Sequence, residues 1–85
     1  MSASAEATQL KEALEGQEQL KLRGFSAACG DDNSVVIDRW GHCRGVWRIH
    51  NGQYFWIGGA SSQPSHCAAT LGDAVAYTLT VIAVA

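Results

Sequence analysis

Ile49-His50-Asn51-Gly52-Gln53-Tyr54 decides the fold. Asn-Gly between two apolar-rich runs is the preferred two-residue hairpin turn of type I′, because both central residues must take positive φ. A two-residue loop also fixes the register. His50 faces Gln53, Ile49 faces Tyr54, Arg48 faces Phe55, Trp47 faces Trp56 and Val46 faces Ile57. Side chains alternate along a strand, so Trp47, Ile49, Tyr54 and Trp56 share one face, which reads as core. Val46, Arg48, His50, Phe55 and Ile57 share the other.

Upstream, Asn33 to Trp40 predicts a second strand, paired with Cys43–His50 in one of two registers. A two-residue Gly41-His42 turn sets Arg39 opposite Arg44, a like-charge pair that costs energy. A three-residue Trp40-Gly41-His42 loop sets Asp38 opposite Arg44 and Val36 opposite Val46, and the charges favour it. Leu22 to Cys29 adds a candidate edge strand. Downstream, residues 60–69 form a polar loop around Pro64. Thr70 then reads as an N-cap with Asp73 in the first turn, opening a helix whose face carries Leu71, Ala74, Val75, Thr78, Ile82 and Ala85. Tyr77 to Ile82 is also good strand composition; the cap and the alanines favour helix.

Residues 1–23 have helix-former composition with a thin apolar stripe of Ala7, Leu10, Ala13 and Leu14. Gly16 costs about 1 kcal/mol against Ala inside a helix, so a frayed, loosely docked helix is expected over about residues 6–21, with residues 1–5 a disordered tail. The expected fold is a single α+β domain over 6–85. It has an antiparallel sheet of three to four strands, the C-terminal helix on one face, and a looser N-terminal helix.

The chain has 85 residues, 47% hydrophobic and 16% charged, with a formal net charge of −2. That is globular composition and excludes a strongly basic nucleic-acid glove. Three cysteines cannot pair off internally. No apolar run follows a basic start, and the apolar stretch Ala74–Ala85 is too short to cross a bilayer. A cytoplasmic protein with reduced thiols and no membrane partner is expected.

Few groups are arranged for chemistry. His42-Cys43 and His66-Cys67 offer soft ligands, but adjacent residues on an extended chain point to opposite sides, and zinc sites space ligands two to four residues apart. Cys43 and Cys67 read as packed residues and both histidines as solvent-facing loop residues. No nucleophile motif surrounds Cys29, Cys43 or Cys67, and no phosphate-binding glycine pattern is present. No enzyme activity, metal or cofactor is expected.

Arg39 to Arg48 places three of the six basic side chains beside Trp40 and Trp47. Arg/Trp sheets can bind single-stranded nucleic acid, although the tryptophans also read as core and residues 24–59 balance to zero charge. One helix covers only one side of a sheet. The opposite side, with Phe55 beside Arg48 and His50, has the apolar-plus-Arg character of protein interfaces. The expected function is non-catalytic protein binding through Arg39, Arg44, Arg48, His50 and Phe55. A nucleic-acid-binding sheet and a homo-oligomeric subunit, such as a homodimer, are the alternatives.

The order hairpin, Gly58-Gly59-Ala60, Pro64 loop and Ala68-Ala69-Thr70-Leu71-Gly72 helix start resembles small proteins of phages and other mobile elements, similar in kind to anti-CRISPR inhibitors. The resemblance covers roughly residues 50–80. It implies a non-enzymatic inhibitor whose partner is a host protein or complex. A net charge of −2 departs from nucleic-acid mimicry and implies steric blocking; no functional residue carries over.

Overall fold

A computed structural model describes residues 5–30, 33–59 and 62–83. In chain order it comprises α1 (Ala5–Glu15), α2 (Glu18–Leu22), β1 (Phe25–Gly30), β2 (Ser34–Arg39), β3 (His42–His50), β4 (Gln53–Gly58), β5 (His66–Ala68) and α3 (Leu71–Ala83). The five strands form one antiparallel sheet in the order β1-β2-β3-β4-β5. The architecture is α+β, with more strands than the sequence predicts. No helix among the described residues is long and apolar enough to cross a membrane.

The β3–β4 register is the one dictated by the Asn-Gly turn, from Gly45↔Gly58 through Trp47↔Trp56 to His50↔Gln53. Asn51 and Gly52 have φ of 52° and 75°, as a type I′ turn requires. The β2–β3 hairpin holds a surprise. Trp40 and Gly41 also have positive φ, 51° and 83°, so the turn has two residues rather than three. Val36 does face Val46, but the register shifts between Ile37 and Asp38, which places Asp38 opposite Cys43 and Arg39 opposite His42. Arg44 is the extra residue of this bulge and does not face Asp38. The bulge satisfies both demands: Val36 keeps its apolar neighbour, and Arg39 avoids Arg44.

Helix α3 begins where the cap predicts, with the Asp73 amide donating to Thr70 Oγ1 at 3.1 Å. Residues 77–83 are helical. The N-terminal segment breaks at Gly16-Gln17, where the extended backbone of Gln17 (φ −84°, ψ 110°) starts α2. It is not loose. Ala7, Leu10 and Leu14 are all 0% exposed, and a fully buried Leu contributes about 1.5–3 kcal/mol, enough to outweigh the glycine. The tail expected over 1–5 lies outside the described residues except for Ala5, which opens α1.

All three helices form one layer, touching one another and the same side of the sheet. Between them lie Phe25, Ala27, Val35, Ile37, Trp47, Ile49, Tyr54, Trp56 and Ala68. Trp47, Trp56 and Tyr77 pack with ring centroids 5.2–6.2 Å apart. Gly45, opposite Ile37, leaves the space the Trp56 indole fills; a Cβ there would collide with the ring.

Candidate functional site

With the three described helices on one side, the other side of the sheet is lined, among the described residues, by its own strands and by Pro64 from the loop before β5. The register assembles two rows across it. One runs Ala28–Val36–Val46–Ile57, and the next runs Gly30–Ser34–Arg48–Phe55–Cys67. Val36, Val46, Phe55 and Ile57 are half-buried by their neighbours, and Arg48, His50 and Cys67 are exposed. We call this the open face.

Each side chain is there for a local reason. The type I′ turn at Asn51-Gly52 places Arg48 and Phe55 directly opposite each other, and places His50 two residues along the same face. Pro64, from the loop before β5, joins Arg48, Ile49, His50 and Phe55 in lining a groove of 420 Å³. The Ser65 amide donates to the Trp56 carbonyl at 2.9 Å, which ties that loop to β4.

Of the five residues the sequence nominates, three converge here: Arg48, His50 and Phe55. Arg44 sits exposed in the bulge. Arg39 lies elsewhere. It faces Phe25 at the edge of the helix-covered side, its guanidinium 5.0 Å from the Phe25 ring centroid and 4.2 Å from that of Trp40, and its Nε donates to the Arg23 carbonyl at 2.9 Å. Val36, Cys67 and Pro64 belong to the open face and were not nominated. Val36 was within reach through its pairing with Val46; Cys67 and Pro64 were hidden because β5 carries no strand pattern of its own.

The tryptophans divide. Trp47 and Trp56 are core, whereas Trp40 is exposed on its turn. Cys43 and Cys67 depart from the expectation that they pack, since both, like Cys29, are exposed free thiols. His42 is exposed, but His66 stacks on Tyr77 at 3.7 Å with the rings nearly parallel. Among the described residues, no group of three or more His, Cys, Asp and Glu could hold a metal ion.

Charge is unevenly shared between the layers. The helices carry Glu6, Glu12, Glu15, Glu18 and Asp73 against Lys11 and Lys21, whereas the described strands carry Arg39, Arg44 and Arg48 against Asp38 alone. The open face itself combines the Val36–Val46–Ile57 strip with the exposed Arg48, and Asp38 shares the side of β2 that carries Val36. No family model matches the chain, and no curated protein or solved structure matches it either.

Proposed function

We propose that this chain is a non-catalytic binding module that engages a protein partner through the open face. The partner surface is apolar with acidic groups at its margin, matching the Val36–Val46–Ile57 strip, Phe55 and the cation Arg48. The observation that supports the reading is the placement of all three helices on one side of the sheet. That leaves the Val36–Val46–Ile57 strip and Phe55 without cover from the described helices, and such patches mark interaction sites.

The resemblance to anti-CRISPR inhibitors gives the binding a purpose: the module blocks a host protein or complex by occupying its surface. Steric occlusion fits this face better than nucleic-acid mimicry does, because its strip is apolar and Arg48 is cationic. Binding of single-stranded nucleic acid is less well supported. Trp47 and Trp56 are buried against the helices and cannot stack on bases.

The test compares recovery from host lysate, treated with nuclease, by the wild type and by two variants. Arg48→Glu with Phe55→Ala loses the recovered protein while keeping the wild-type circular dichroism spectrum; Glu12→Lys, on the helical side, keeps it. Equal recovery by all three places the interface elsewhere. Recovery abolished by nuclease makes the bound species nucleic acid.

A further inference from the structure

A sheet edge presents a row of unpaired backbone donors and acceptors, and proteins guard it with charge, proline, bulges or very short strands. The two edges of this sheet differ. β5 is three residues long and follows Pro64 by two positions. β1 is six residues, Phe-Ser-Ala-Ala-Cys-Gly, with no charge and no proline. Its pairing with β2 is regular from Phe25↔Arg39 to Gly30↔Ser34; the bulge lies one strand further in.

The same edge gathers exposed apolar groups. Among the described residues the exposed large hydrophobics are Leu22, 82% exposed, and Trp40, 71% exposed. Leu22 lies three positions before Phe25. The Trp40 indole lies so close over Gly24 that a Cβ there would collide with it, and the Arg39 guanidinium packs against its ring. Trp40 is thus exposed yet held in place. Beside the strand is a cavity of 390 Å³ whose lining includes Leu14, Leu20, Phe25, Ala27 and Ile37.

We infer that β1 is the docking edge for a second copy of this chain, joined antiparallel about a two-fold axis so that two five-stranded sheets become one of ten. Charge favours this occupant and this direction. The sequence carries Lys21 and Arg23 before β1, Asp31 and Asp32 after it, and nothing charged between. Antiparallel pairing keeps the Lys21 and Arg23 flanks of the two copies at opposite ends of the seam, whereas parallel pairing sets them side by side. A two-fold contact uses the same patch on both copies, which an uncharged strand with opposite flanks provides.

Area favours it too. A specific interface needs about 800 Å² per partner. A six-residue edge falls short alone, and the exposed Trp40 and Leu22 are the large apolar groups beside it that a partner would cover. The axis stands perpendicular to the sheet, so both open faces point the same way and remain accessible. The inference is independent of what binds there.

Sedimentation equilibrium in reductant, which keeps the exposed thiols from cross-linking, tests it from micromolar to roughly 1 mM chain. The wild-type mass rises from 9.1 kDa toward twice that value. Ser26→Lys with Ala28→Lys stays at the monomer mass, because four lysines then meet at the seam. A wild type that remains monomeric throughout overturns the inference, as does a dimer the two lysines leave unchanged. If the lysine variant unfolds, hydrogen exchange on the wild type decides. β1 amides slow over the concentration range in which the mass rises while β5 amides do not; unchanged β1 exchange overturns it.

Discussion

The Trp47 indole Nε1 donates to Thr78 Oγ1 at 2.7 Å, with both side chains fully buried. The Thr78 hydroxyl in turn donates to the Ala74 carbonyl at 2.8 Å. One hydroxyl therefore accepts from the centre of the sheet and donates within α3, which fixes the rotation of that helix over the strands. A buried indole N–H left without an acceptor costs its desolvation, so this bond specifies as well as stabilises.

Thr78→Val keeps the shape and removes the acceptor. It is expected to cost about 1–3 kcal/mol in urea unfolding, and Thr78→Ser, which retains the hydroxyl, is expected to cost less. Equal losses from both would show that the methyl group matters rather than the bond.

Gly45→Ala drives a Cβ into the Trp56 indole. Because Trp56 packs against Trp47 and Tyr77, the ring cannot simply swing away. Overpacking of this kind costs typically about 1–3 kcal/mol. The near-ultraviolet circular dichroism of the aromatic cluster should change in parallel, and an unaltered spectrum at wild-type stability contradicts the packing described.

How much of this was legible in the sequence depended on how much one residue pair could dictate. Asn51-Gly52 admits one turn and one register, so the β3–β4 hairpin and both of its faces followed from it. Trp40-Gly41 forms the same kind of turn, but Trp rarely takes positive φ, and the bulge at Arg44 leaves no mark in the alternation. β5 is too short to alternate. The thin stripe of α1 understates its burial, because Gly16 ends one helix rather than weakening a single long one. In fact the break there lets α1 bury Leu10 and Leu14 while α2 turns to bury Leu20. The open face was therefore foreseeable in its β3–β4 half, while Arg39 was misplaced because its contacts come from β1 and its own turn.

Tyr54 predicts a pH dependence. Burial, and secondarily the charge of Glu6, raise its phenol above the ordinary value. A raised folded-state value means the stabilisation is fully present below the unfolded pKa of about 10 and is lost as pH rises through the folded one. Stability should thus fall above about pH 10 more steeply for the wild type than for Tyr54→Phe. Parallel curves would show that Tyr54 ionises without penalty.

Trp40→Ala removes a mostly exposed ring and its cation–π contact to Arg39 while the position stays at positive φ, where Ala is strained as Trp is. An exposed cation–π contact is worth about 0.5–1 kcal/mol, so thermal unfolding should change by less than about 1 kcal/mol. A larger loss would make Trp40 a structural residue.

The account depends on one side of the sheet being bare in the isolated chain. Methyl relaxation caused by a soluble paramagnetic agent reads this residue by residue, because neighbours along a strand alternate sides. Val36, Val46 and Ile57 should relax strongly, and Val35, Ile37 and Ile49 should be shielded beneath the helices. Equal shielding of the two sets would mean that the chain covers its own open face, and the proposed interface would fall with it.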